Sequence, residues 1–330
     1  MKSLVTGGAG FIGSHLVDKL ISLNHEVTVL DNFSTGRRDN LSHVKGKIKL
    51  IECELSKNED WEKEFNKVDW VFHVAGLADI VPSIQNPINY FNSNAVATLN
   101  VIEASKKNKV KRFVYLASAS CYGIPKVYPT TEKAEIKPQH PYAMAKLMGE
   151  QLVMHWAQVF NLPAVSLRLF NVYGPRSRTS GTYGAVLGVF LAQKLADKPL
   201  TIVGDGKQTR DFTYVSDVID AIIYAIKSDK KGEIYNVGSG KAISVNRIVE
   251  LLDAKKKTFI PKRPGEPDYS LADINKIKKD LQWEPKISIE EGIKEILKNI
   301  DYWKNAPVWT PSSIAAATKE WFELLNKNGK

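Results

Sequence analysis

Tyr142 and Lys146 stand four positions apart in Tyr142-Ala-Met-Ala-Lys146. On a helix, that spacing puts both side chains on one face. A free tyrosine titrates at about 10, too high for a base at neutral pH. A nearby ammonium favours the phenolate, and so does any other positive charge close by. A phenolate held in this way can take the proton of an alcohol as hydride leaves the same carbon. The spacing alone is common in ordinary helices, so it gains meaning only beside other signals. One such signal is Ser118, in Ala117-Ser118-Ala119-Ser120-Cys121-Tyr122-Gly123. Its hydroxyl could hydrogen-bond a reacting oxygen, or Ser118 and Ser120 could merely satisfy loop backbone groups.

A second signal lies far upstream, in Gly7-Gly8-Ala9-Gly10-Phe11-Ile12-Gly13. Gly7 suits a tight turn, Gly10 lets a pyrophosphate approach the backbone, and Gly13 allows close helix–strand packing. The helix that begins at Phe11 and Ile12 offers free amides and a positive dipole to phosphates. Asp31 comes 18 residues after Gly13. A carboxylate there accepts ribose hydroxyls and repels a 2′-phosphate, which favours NAD over NADP. Arg37 and Arg38 are near enough to leave NADP open, and Asp31 could instead be a turn-former before Asn32. Glu54 and Leu55 end a third apolar run and could touch the adenine, although Glu54 could equally cap a helix.

These residues need elements to position them. Apolar runs predict strands over Ser3–Thr6, Glu26–Leu30, Ile48–Cys53, Trp70–His73, Arg112–Ala117 and Ala164–Leu169. Helical spacing falls between them, over Phe11–Leu23, Asn94–Asn108 and Tyr142–Phe160. Strands alternating with helices predict a doubly wound parallel sheet of the Rossmann type, an α/β fold. In such a sheet ligands bind at strand C-termini, which is where Ser118 falls. We therefore divide the chain into a dinucleotide-binding domain over 1–170 and a smaller substrate domain over 171–330. The two are partly interleaved near 214–240, because Glu233–Val237 reads as a strand returning to a sheet. The second part has the glycine- and proline-rich runs GPRSRTSGTYG, VGDGKQTRD and PKRPGEPD. Thr310–Leu325 predicts a capped amphipathic helix with Ile314, Ala317, Trp321 and Leu324 on one face, packed on the body or on a partner.

Bulk properties exclude several classes. The chain has 330 residues, 43% hydrophobic and 25% charged, as expected of a globular protein. No apolar run approaches the roughly 18 residues a membrane span needs. The net charge is +10, but the lysines are scattered, so we expect no nucleic-acid partner. Cys53 and Cys121 make no disulfide framework, and the six histidines lack ligand spacing, so no metal is expected. A cleaved leader would remove the glycine motif, so we expect a cytoplasmic protein.

Taken together, the chain resembles the extended short-chain dehydrogenase/reductases that act on nucleotide sugars. The matching motifs are TGGAGFIGSHL, LDNFSTG, the HVAG around His73, SASCYG, YAMAK, RLFNVYGPR and GDGKQTRDFTYVSDV, reaching to about Trp283 in LQWEP. The resemblance implies NAD held by Gly7, Gly10, Phe11, Ile12, Gly13, Asp31, Asn32, Glu54, Leu55, Ala75, Tyr142 and Lys146. It implies a catalytic set of Ser118, Tyr142 and Lys146. It places Asn171, Arg210 and Arg263 at the nucleotide diphosphate, whose oxygens match the arginine fork. Thr201 and Val203 fall where the family holds the base. It also implies a homodimer through the helices near Asn94 and Tyr142.

The reaction class turns on Ser118-Ala119-Ser120. Family dehydratases resemble Thr-Asp-Glu here, and glucuronate decarboxylases resemble Thr-Ser-Glu. Without acids, Ser-Ala-Ser is similar to the 4-epimerases, which need only reversible oxidation at C4. The resemblance therefore implies 4-epimerisation of UDP-glucose/UDP-galactose through a 4-keto sugar. The alternatives are a 4,6-dehydratase or other nucleotide-sugar oxidoreductase, and, in a different class, a non-catalytic NAD-binding regulator. Ser270 falls where similar epimerases border the sugar's C2 substituent, so a small residue there admits N-acetylated sugars, unless Ser270 simply caps a helix. Two positions depart from the family. Gly76 replaces a usual alanine, and Asp79 stands where a small or neutral polar residue is usual. If Asp79 faces the sugar, it disfavours a glucuronate.

Overall fold

A computed structural model of the protein describes residues 1–57, 60–177 and 186–326. The run GPRSRTSGTYG thus lies partly outside the described residues. The strands are β1 (Lys2–Thr6), β2 (Glu26–Asp31), β3 (Ile48–Glu52), β4 (Trp70–His73), β5 (Arg112–Ser118) and β6 (Ala164–Leu169), then β7 (Asn171–Tyr173), β8 (Leu200–Val203), β9 (Thr209–Tyr214), β10 (Glu233–Val237), β11 (Ala242–Ser244) and β12 (Lys257–Ile260). Seven of them form one sheet in the order β10-β6-β5-β4-β1-β2-β3. Every pairing in it is parallel. This is the expected doubly wound α/β sheet.

Its strands are apolar on both faces because helices cover both sides. Leu16, Val17 and Leu20 of the helix Phe11–Ser22 pack on one face, with Ile222 and Ile226 of the helix Val215–Lys227. Val101 and Ile102 of Ala97–Lys107 and Val153 of Pro141–Val159 pack on the other. From β1 the chain winds to β2 and β3 on one side, then to β4, β5, β6 and β10 on the other. The switch between β1 and β4 opens a crevice at the strand C-termini, the usual ligand position in such sheets.

A second core gathers Phe190, Ile202, Ile248, Ile293 and Trp303. It surrounds the short sheets β11-β9-β7 and β12-β8. These strands have three to six residues, too short for a periodic signal, and sequence patterning did not mark them.

The last helix spans Pro311–Asn326 and is capped by Thr310, whose Oγ1 accepts from the Ser313 amide at 3.2 Å. Its inner face differs from the expected one. Leu324 is 48% exposed, whereas Ile314, Thr318 and Trp321 are buried. At about 100° per residue, Thr318 and Trp321 stay within roughly 40° of Ile314 round the helix, whereas Leu324 lies roughly 80° away.

Candidate active site

The glycine loop leaves β1 with Gly7 at φ +69°, and a Cβ there would lie 2.7 Å from the Ala75 backbone. A Cβ on Gly13 would collide with the Gly7 carbonyl. Gly10 caps the helix Phe11–Ser22 without any side-chain bond, so the first amides stay available to a ligand. Asp31 ends β2 and is buried. One carboxylate oxygen accepts from the Ala9 amide and the other from Phe33, both at 2.8 Å. Burial raises its pKa while those two bonds oppose the rise. Each oxygen keeps a second lone pair for a hydroxyl. Arg38 is turned to Glu52 and stacks on Phe33, and Arg37 lies over the Tyr302 ring, 5.2 Å from its centroid. Glu54 and Asn32 hold each other at 2.7 Å, and Glu54 also accepts from Ser56, so it fastens the loop after β3.

At the middle of the crevice, Ser118 ends β5. Its hydroxyl accepts from Ser120 Oγ at 2.9 Å and from the Ser120 amide at 3.2 Å. Tyr142 and Lys146 come from the helix Pro141–Val159, where Pro141 occupies the first position. His140 caps this helix, its Nδ1 accepting from the Ala143 amide at 3.2 Å, and stacks on the Tyr142 ring. Burial raises the Tyr142 pKa, a hydrogen bond with Ser118 lowers it, and the charge of Asp79 raises it. Lys146 is 7% exposed and lies over Tyr115 at 4.5 Å. Burial pushes it down to about 7, against the pull of Glu150.

The loop after β4 is tightly anchored. Thr98 donates to the Asn94 carbonyl at 2.7 Å, so its oxygen accepts from His73 Nε2 at 2.9 Å. His73 Nδ1 then accepts from Thr6 Oγ1 at 2.7 Å, and Thr6 accepts from the Ala75 amide at 3.2 Å. Asn94 sits in a π-turn over Asn92–Val96 and donates to the Leu77 carbonyl at 3.0 Å. The space a Cβ on Gly76 would need is taken by Asn94 Oδ1, which accounts for glycine there. Asp79 adopts φ +82°, unusual for a residue with a side chain, and stands at the N-cap position of the helix Ile80–Gln85 without a side-chain capping bond.

Arg210 and Arg263 lie at the far end. Both reach Glu266, at 3.4 and 3.0 Å. Two guanidiniums around one carboxylate keep a net positive charge, a suitable seat for a diphosphate. The Thr201 side chain is already engaged, since its Oγ1 accepts from Gln193 Nε2 at 2.9 Å and its amide donates to Gln193 Oε1 at 3.1 Å. Gln193 thus fixes the orientation of Thr201, whose O–H stays able to donate. Ser270 caps no helix, because the next one starts at Asn275. Every site residue named from the sequence, Asn171 included, lines one cleft of about 680 Å³. Among the described residues, no three His, Cys, Asp or Glu side chains gather as metal ligands.

The family model for the NAD dependent epimerase/dehydratase family matches residues 3–238. The chain belongs to this family. Among solved structures it is similar to a UDP-glucose 4-epimerase of Thermotoga maritima with UDP-glucose, at 35% identity, TM-score 0.86, covering 92% of this chain and 99% of that one. It is also similar to a UDP-N-acetylglucosamine 4-epimerase of Methanobrevibacter ruminantium, at 34% identity, TM-score 0.86, covering 92% and 97%. UDP-glucuronic acid decarboxylase 1 of Arabidopsis thaliana is 34% identical over 91% of this chain and 69% of its own length.

In this epimerase/dehydratase family member, sequence patterning did not single out Glu266, His140 or Asn94 for the site. His140 directly before the helix-starting Pro141 was the one local cue.

His140 yields a prediction about acid stability. Burial holds its imidazole down at about 4, with Glu266 opposing, and holds His73 at about 3. An unfolded histidine titrates at about 6.5, so the unfolded chain binds more protons below that pH. Stability should therefore fall as pH drops from about 6.5 towards 4. His140→Asn keeps a helix cap but cannot titrate. Its melting temperature should fall less steeply than that of wild type over this window. Parallel curves for the two proteins would exclude His140 as a contributor.

Proposed function

We propose that this chain catalyses NAD-dependent 4-epimerisation of a UDP-sugar, acting on the UDP-glucose/UDP-galactose pair and on the N-acetylated pair. The observation that carries this reading is the end of β5. There Ser120 turns back onto Ser118, and no acid stands beside Tyr142 on that strand. Elimination of water needs a paired acid and base. Of the described cleft residues, the carboxylates are Asp31, Glu54, Asp79 and Glu266. Asp31 and Glu54 are held at the glycine-loop end and Glu266 between the arginines, which leaves a single carboxylate, Asp79, near Tyr142.

Bound NAD supplies reversible hydride acceptance at C4. Tyr142 removes the proton of the C4 hydroxyl and returns it, Ser118 holds that oxygen, and Lys146 supplies charge. Gly7, Gly10, Gly13 and Asp31 hold the dinucleotide. Arg210 and Arg263 grip the diphosphate while the keto sugar turns over. Ser270 leaves room beside C2 for an N-acetyl group. Asp79, placed beside Tyr142 in charge terms, would repel a C6 carboxylate, which weighs against UDP-glucuronic acid as substrate.

NMR of the products tests this reading. UDP-glucose and UDP-N-acetylglucosamine should each give their C4 epimer, and UDP-glucuronic acid should remain largely unchanged. A 4-keto-6-deoxy product, or a pentose product from UDP-glucuronic acid, would overturn it.

A further inference from the structure

The segment after Trp303 crosses the rim of the cleft. Ala306, Pro307, Trp309 and Trp321 line the same cavity as the sequence-named residues. The helix Pro311–Asn326 packs against the helix Ile80–Gln85, which follows Asp79 on the dinucleotide side. On the other side it reaches the loop carrying Arg263. Trp321 is 3% exposed, and its Nε1 donates to the Pro264 carbonyl at 3.0 Å. Its ring faces the Arg263 guanidinium at 5.6 Å. A Cβ on Gly265 would meet the Leu325 side chain at 3.1 Å. The approach to the helix is fixed as well, because Gln193, which holds the Thr201 strand, also donates to the Trp309 carbonyl at 2.7 Å. The segment thus touches both sides of the cleft and is tied, through Gln193, to the strand where a base would lie.

We infer that Trp321 is a positioning residue for the sugar nucleotide, holding Arg263 towards the diphosphate and closing the cleft wall above it. The inference rests on the UDP-sugar reading above. The aromatic face attracts the guanidinium, and the indole donor fixes the backbone on which Arg263 is carried. Arg263 has Glu266 on one flank and the indole on the other. A long side chain confined in this way loses less freedom when it grips a ligand, so affinity gains from preorganisation. Trp321 itself meets Arg263 and Pro264, so its loss is expected to act at the substrate end.

Calorimetric titration with UDP, and separately with NAD, tests the inference on wild type, Trp321→Ala and Trp321→Phe. The alanine variant should bind UDP roughly tenfold more weakly and show a raised KM, with kcat and NAD affinity close to wild type. The phenylalanine variant keeps a ring over Arg263 and should recover most of the loss. Unchanged UDP affinity in Trp321→Ala overturns the inference. So does a phenylalanine variant as weak as the alanine one, or a parallel loss of NAD and UDP binding, which marks a purely structural role. Wild-type protein that binds NAD but no UDP instead overturns the UDP-sugar reading itself.

Discussion

Tyr142→Phe should turn over UDP-glucose roughly 10²–10⁴-fold more slowly than wild type, the usual span for losing a general acid–base. The change removes one oxygen and little else. The ring would keep its edge contact with Tyr90 and its stack on His140, so the fold should hold. What goes is the group proposed to carry the proton. In the chain by itself burial raises the Tyr142 pKa, and Asp79 adds to the rise, so the resting hydroxyl holds its proton despite the Ser118 bond. Release of that proton needs positive charge nearby, a role the proposed reading gives to Lys146 in its ammonium form. Ser118 cannot substitute, since an alcohol is a far weaker acid than a phenol. KM and NAD affinity should change little, because Arg210, Arg263 and the glycine loop are untouched. A time course by NMR decides the matter: turnover within threefold of wild type would remove Tyr142 as the base.

Much of the fold, and the row of residues that meets in the cleft, could be read directly because each signal is local. The glycine loop, Asp31 at a strand end and the four-residue step from Tyr142 to Lys146 each report a short stretch of backbone with one geometry. What escaped depends on distant partners. Glu266 matters because Arg210, 56 positions away, folds against it. The π-turn at Asn92–Val96 carries no proline or glycine to announce it. The amphipathic pattern of the last helix told that it would pack, but not that Trp321 would meet Arg263. Thr201 lines the cleft, and its orientation is set by Gln193, eight residues away on a neighbouring element. Patterning reports which face is buried and not what it is buried against.

The row that begins with Tyr142 and Lys146 continues one step to Glu150, and there it meets the sheet. Glu150 is 2% exposed and Arg168 on β6 is 4% exposed. Arg168 donates to both carboxylate oxygens, with Nη2 to Oε1 at 2.6 Å, and Ser166 donates at 2.9 Å. Burial works against the arginine's charge, and the carboxylate more than restores it. Removing one partner strands the other, so Arg168→Met alone or Glu150→Met alone should each cost about 3–5 kcal/mol. Removing both should recover most of that, because a buried pair replaced by apolar side chains is often near neutral. The recovered double variant should still differ in chemistry. Glu150 supports the charge on Lys146, which burial has pushed down to about 7. Without the carboxylate the lysine pKa falls further, so less of Lys146 is ammonium at neutral pH, and lowering the pH restores it. The upper limb of the pH–rate profile should therefore move to lower pH. Urea unfolding and a pH–rate profile on the four proteins separate the two claims. A double variant as unstable as the singles would refute the pairing energy, and an unmoved profile would show that the Glu150 charge does not act on Lys146.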